Sequence, residues 1–153
     1  MSSATIHTTE FPSLSSTDTV ADATRQMLEH RVSDLPVVDA AGALVGMFRL
    51  DRLFAGLLPK AALIGYGVPD LAFVNDTLGQ LREKMREIGH LPVHEFIVRP
   101  RGVIHPDTPP LEIVLLLYQG ANNIPVIERD GRRLVGMASA RDLLNALRTG
   151  DEP

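Results

Sequence analysis

The sequence contains no cysteine and no tryptophan, and aromatic residues make up only 5% of it. Without cysteine, disulfides, thiol nucleophiles and thiolate metal sites are all excluded. With five Phe and two Tyr, aliphatic side chains must carry the core, and stacking of unpaired bases has little to work with. Positive charge is also short. Lys and Arg number 15 against 19 Asp and Glu, a net charge of −4, whereas a nucleic-acid surface needs a basic field. Long hydrophobic runs are missing too. The most apolar stretch, residues 53–68, carries Pro59 and Lys60 and is too short to span a bilayer. The N-terminus lacks the basic and apolar regions of a signal peptide. These absences predict a soluble, cytoplasmic protein with no nucleic-acid partner and no membrane insertion.

Catalytic signatures are equally scarce. The chain holds no Walker loop, no G-x-G-x-x-G and no Ser/His/Asp constellation, so an enzyme is not expected. His90 and His94 have the spacing of a helical metal pair, but Pro92 stands between them and breaks the helix. A loop pair with Glu95 is the alternative. In the absence of cysteine no metal site is expected.

What the chain does contain is a duplication. "DLPVVDAAGALVGM" (34–47) aligns with "NIPVIERDGRRLVGM" (123–137). Pro36 falls on Pro125 and Gly46 on Gly136, so the second copy has one more residue in its turn. Upstream, Asp18-Thr19 falls on Asp107-Thr108.

Each copy predicts the same succession of elements. In the first, Thr19 and Asp22 form a capping box for a helix whose Val20, Ala23, Met27 and His30 share a face. In the second, Thr108 is the expected cap, with Pro109 at the first helical position. The second helix, "LEIVLLLYQG", is apolar nearly all round and so should be buried on more than one side, as an inter-unit or inter-subunit contact would achieve. Two β-branched runs around a glycine turn follow in each copy, then a closing helix over 51–58 and 140–147. The first strand is weak in both. Between the copies, Thr77 and Gln80 predict a capped helix ending near Gly89, followed by an extra turn or strand at "LPVHEF". "GYG" at 65–67 reads as a turn.

The pattern of a capped helix, "L/I-P-V-V/I-D/E", a glycine turn and "L-V-G-M" running into a final helix resembles the CBS domain, and the tandem resembles a Bateman module. The resemblance implies an α+β fold, two tandem β-α-β-β-α units packed about a pseudo-twofold axis. The boundaries that follow are a first repeat over 1–58, a helical connector over 59–95 and a second repeat over 96–153. It also implies a regulatory, non-catalytic module that binds an adenosine-containing ligand (AMP, ADP, ATP or S-adenosylmethionine) between the units. Such a module dimerises with itself and acts on an effector protein in trans; the sequence names neither ligand nor effector. A ligand-free interaction and dimerisation module is the alternative.

Within this frame the site candidates are Ser139, Asp142, Asn122, Asn123, Gly102, Arg101 and Met137. Asp142 can accept hydrogen bonds from both ribose hydroxyls, and Ser139 at a helix start suits a phosphate. Ser-x-x-Asp is equally a helix cap. By resemblance, Asn122 and Asn123 meet the adenine edge; as a plain sequence they make a turn. Gly102 marks the first strand's approach to the ligand, or only a turn. Arg101 faces phosphates or solvent, and Met137 packs while touching a base. In the first copy Arg49 and Arg52 stand where Ser139 and Asp142 would. A guanidinium only donates, so a ribose site is not expected there. Those arginines face solvent or reach across towards phosphates.

Overall fold

The computed structural model describes residues 6–58 and 77–149. The turn expected at Gly65–Gly67 and much of the connector lie outside them. The first unit runs β1 (Leu14–Ser15), α1 (Val20–His30), β2 (Asp34–Val38), β3 (Leu44–Arg49) and α2 (Leu50–Ala55). Then come α3 (Leu78–Ile88), a 3-10 turn (Val93–Phe96) and β4 (Ile97–Val98). The second unit has α4 (Pro110–Tyr118), β5 (Asn123–Ile127), β6 (Leu134–Ser139) and α5 (Ala140–Thr149). The fold is α+β, in two repeats.

Local chemistry explains most of these boundaries. At α1 the Thr19 hydroxyl accepts from the Asp22 amide at 3.2 Å, and the Thr19 amide donates to the Asp22 carboxylate at 3.1 Å. Thr77 and Gln80 repeat the reciprocal pair at α3. Val20, Ala23 and Met27 are buried as expected, but His30 is exposed. Thr108 does not cap α4. It is buried, and its hydroxyl accepts from the His105 amide at 2.8 Å. The helix therefore starts one residue later, with Pro109 as cap and Pro110 in its first turn.

The sheets show how the two copies join. In one sheet the order is β1-β2-β3-β4, with β1 parallel to β2 and the remaining pairs antiparallel. β5 and β6 pair antiparallel in the second, and Ile104 bridges Val126 in parallel, as the short counterpart of β1. The strand that completes each sheet precedes the other unit. Ile97 and Val98 pair with Phe48 and Met47, while Thr8 exchanges two backbone hydrogen bonds with Met137, at 2.9 and 3.0 Å.

This exchange accounts for the repeated glycine of "LVGM". A β-carbon on Gly136 would stand 2.4 Å from His7 Cδ2 and 2.9 Å from the Thr8 carbonyl oxygen. On Gly46 it would stand 2.0 Å from Ile97 Cγ2. Only glycine lets the incoming strand this close.

Each unit has its own core. Leu14, Val20, Met27, Leu35, Phe48 and Leu53 fill the first, joined by Val93 from the 3-10 turn. Ile104, Ile113, Ile124, Val126 and Ala138 fill the second, together with Ile6 from the chain start. Full burial of such side chains is worth about 1.5–3 kcal/mol each. Phe48 and Phe96 meet edge to face at 6.4 Å. On the opposite faces of β3 and β6 from Phe48 and Ala138, the buried Met47 and Met137 line the clefts between units. At the hairpin tips the Leu44 amide donates to Arg132 O at 2.8 Å and the Leu134 amide to Gly42 O at 3.0 Å. The units are thus stitched by backbone as well as packing.

The all-round apolar helix is only half accounted for. In α4, Ile113 is buried, but Leu111, Leu115 and Tyr118 are 78%, 51% and 86% exposed. Among the described residues, no inter-unit contact covers that face.

Candidate functional site: two clefts between the units

Among the described residues, a cleft lies between the units on either side of the pseudo-twofold axis. The larger, about 610 Å³, is bordered by Ser139, Asp142 and Met137 from the second unit. Its facing wall comes from the first unit and includes Glu10, His30 and Arg31, while Thr8, paired with Met137, lies on the second unit's side. The smaller, about 240 Å³, is bordered by Arg49, Asp51 and Met47 from the first unit and by Arg101 and Asn122 from the second. Small-molecule pockets commonly span about 300–1,000 Å³; the Ser139 cleft falls within that range and the Arg49 cleft below it.

The sequence candidates are therefore divided. Ser139, Asp142 and Met137 share one cleft, and Arg101 and Asn122 line the other. Asn123 borders both, as does Asp34. These two occupy matching positions in the two copies, and across the axis the Asn123 amide donates to the Asp34 carboxylate at 3.2 Å. Burial pushes the Asp34 carboxyl up from its ordinary value, against the lowering effect of the Asn123 bond and the nearby Arg49. Gly102 borders neither cleft; a β-carbon there would meet Leu116 at 3.0 Å. Arg101 donates to the Gly120 carbonyl at 3.0 Å.

Ser139 and Asp142 make the cap that their spacing allows. Both the Ser139 amide and its hydroxyl donate to Asp142 Oδ2, each at 3.0 Å, and the Ser139 hydroxyl accepts from the Asp142 amide at 3.1 Å. None of these bonds uses Asp142 Oδ1. Thr19 and Asp22 have the same three contacts at 3.1, 3.0 and 3.2 Å, yet they border neither inter-unit cleft. The cap geometry is common to both pairs, and what distinguishes Ser139 and Asp142 is the cleft.

In the Arg49 cleft the charged side chains of the first unit are paired. Arg49 holds Asp51 through two hydrogen bonds at 3.1 and 2.6 Å. The bonded Arg49 guanidinium keeps the Asp51 carboxyl below its usual range, and Asp51 raises Arg49 in turn. Arg52 is exposed and borders neither cleft. No group of three His, Asp or Glu suited to a metal occurs among the described residues, so His90, His94 and Glu95 do not converge.

The sequence model of the CBS domain matches residues 4–58 and 93–149, most of the chain and both repeats. The chain belongs to the CBS domain family. Solved structures carry the same fold for the pair as a whole. A CBS domain-containing protein from Kribbella flavida is 18% identical with a TM-score of 0.74, covering 97% of this chain and 99% of that one. CBSX2 from Arabidopsis thaliana, a CBS-pair protein, is 20% identical with a TM-score of 0.74 over 99% and 98% of the two chains. A structure of CBSX2 in complex with AMP gives 19% and 0.70, again over 99% and 98%. The chain spans 60% of the length of MJ1004 from Mathanocaldococcus jannaschii, at 20% identity, a TM-score of 0.70 and 97% of this chain. Among curated proteins, none matches the sequence.

The facing wall of the Ser139 cleft in this CBS pair escaped sequence reasoning. Glu10, His30 and Arg31 carry no motif. A signal existed for Arg31 alone: aligned on the repeats, it falls on Gly120, a substitution that changes what the backbone can easily do.

Proposed function

We propose that this CBS pair is a ligand-sensing regulatory module that takes one adenosine-containing nucleotide per chain in the Ser139 cleft. The observation that carries the reading is the position of Asp142. Asp142 borders a cleft of about 610 Å³ between the repeats, with Oδ2 engaged in the cap and Oδ1 outside it. A ribose diol is a fitting donor pair for that carboxylate, and the similar CBSX2 is known in complex with AMP. Met137 supplies an apolar floor and Asn123 an edge. The Arg49 cleft, with Arg49 and Asp51 paired across the equivalent place, serves as scaffold.

Regulation by such a module acts on an effector protein in trans, and the module itself works as a homodimer. The exposed apolar face of α4, Leu111, Leu115 and Tyr118, supports the second copy as its cover, because large apolar patches on a chain of this size favour association.

Isothermal titration of ligand-stripped protein with AMP, ADP, ATP, S-adenosylmethionine and NADH tests the reading. Saturable binding of at least one, lost in Asp142→Ala, is expected; silence from all five overturns it. The competing reading, a ligand-free interaction module, is favoured by the identity of the Ser139–Asp142 cap with the Thr19–Asp22 cap. It predicts that Asp142→Ala lowers stability and changes no ligand response.

A further inference from the structure

We propose that two copies of this chain associate second unit to second unit, with α4 crossing its own copy antiparallel about a twofold axis. This rests on the reading of the protein as a homodimer and names the unit, the helix and the direction of the contact.

The exposed apolar residues of α4, Leu111, Val114, Leu115 and Tyr118, are spaced i, i+3, i+4 and i+7, a single stripe along the helix. The repeats supply an internal comparison. Their register over this helix is fixed at both ends. Thr19 falls on Thr108, and Met27 and Leu116 accept matching hydrogen bonds beyond the helix end, from the Val32 and Ala121 amides, each at 3.1 Å. In that register the stripe falls on Asp22, Arg25, Gln26 and Glu29 of α1. There Arg25 is ion-paired with Asp22 at 3.4 Å, and Leu28 is the one large apolar side chain that α1 leaves exposed. The same face is thus apolar in one repeat and charged in the other.

That difference decides the direction of pairing. A head-to-tail dimer would set α4 of one protomer against α1 of its partner, burying the stripe against Asp22, Arg25 and Glu29 and stripping water from those charges. Contact between second units sets stripe against stripe instead. The flank of α1 is also taken within its own chain, by α3 and the turn after it: the Ala21 amide donates to Gly89 O at 3.1 Å, and the Val20 amide to Leu91 O at 2.9 Å. The closing helices do not discriminate, because α2 exposes Phe54 and Leu58 and α5 exposes Leu144 and Leu147.

The antiparallel crossing follows from the stripe itself. Leu111 and Tyr118 lie about 10 Å apart along the helix, with Val114 and Leu115 between them. A twofold axis through the middle sets Val114 and Leu115 beside their own copies and Leu111 opposite Tyr118. Glu112, the one charged residue bordering this face, is in the first turn. The antiparallel crossing holds its two copies at opposite ends, whereas a parallel one would bring the like charges together. From Tyr118 the chain passes through one turn to Asn122 and Asn123 on the cleft walls, so the contact and the clefts are close neighbours along the chain.

The chain has no cysteine, so a single introduced thiol reports its own neighbourhood. The test treats Leu115→Cys with a short bismaleimide cross-linker, alone and in equal mixture with Gln26→Cys, while light scattering gives the mass in solution. Exposed Asp130→Cys measures random collision, and Val114→Cys, which keeps Leu115, guards against a variant that fails to associate. Leu115→Cys and Val114→Cys should each give a covalent dimer as the main product, well above Asp130→Cys. Linkage only in the mixture, between positions 115 and 26, overturns the direction of pairing while the homodimer stands. A dimer by light scattering in which neither 114 nor 115 links overturns the α4 contact and leaves that face to an effector or another part of the chain. A monomeric wild type overturns both this inference and the homodimer reading.

Discussion

At the scale of the residue, the chain contains its own controls. Ser139–Asp142 and Thr19–Asp22 form the same cap, so Asp142→Ala and Asp22→Ala should each cost about 1 kcal/mol in chemical denaturation. Only Asp142→Ala should abolish the thermal shift produced by a bound nucleotide; an equal loss in Asp22→Ala would sever the link between that shift and the cleft. Asp34 is a second case. Its carboxyl is raised by burial, so the protonated form is favoured in the folded state, and ionisation weakens folding as pH rises through the folded value. Asp34→Asn can keep an acceptor for the Asn123 amide while removing the charge. The variant should therefore melt higher than wild type at pH 7, and the difference should shrink as pH falls to the ordinary carboxylate range. Thermal unfolding followed by circular dichroism at pH 7 and pH 4 checks this; a gap that widens towards acid contradicts it.

At the scale of the element, the decisive feature is the exchange of edge strands. Residue 8 serves the second repeat and residues 97–98 the first. The repeated glycine exists for that contact. Gly136→Ala sets a methyl group against the Thr8 backbone and should cost about 1–3 kcal/mol, the usual penalty for overpacking. Faster hydrogen exchange at the Thr8 and Met137 amides should accompany it, while exchange in α1 stays unchanged. Much at this scale was legible beforehand. The caps at Thr19 and Thr77 rest on contacts three residues apart, and the helix and strand periods sit in neighbouring residues. Thr108 misled because its hydroxyl was claimed by the turn at His105, a competition that a capping rule does not see. The exchange was illegible, since a two-residue strand carries no period of its own.

At the scale of the whole molecule, the half-buried α4 defines the expected assembly. Leu115→Glu places a charge on the exposed apolar face without touching Ile113 in the core. Light scattering coupled to gel filtration should show a dimer for wild type and a monomer for the variant, with the circular dichroism spectrum retained. A variant that stays dimeric would move the interface elsewhere.

The sequence by itself determined the duplication, the α+β units and the residues where the two copies diverge, because each of these is written in short-range spacing. It placed Ser139 and Asp142 together, since three residues on a helix start cannot be far apart. Only the tertiary structure decided which residues face them across the axis. It separated Asn122 and Arg101 from Ser139, set Asn123 against Asp34 on the shared wall, and brought Arg31 to the mouth of the larger cleft. A pseudo-twofold axis pairs the second half of one repeat with the first half of the other, and no spacing along one chain encodes that crossing.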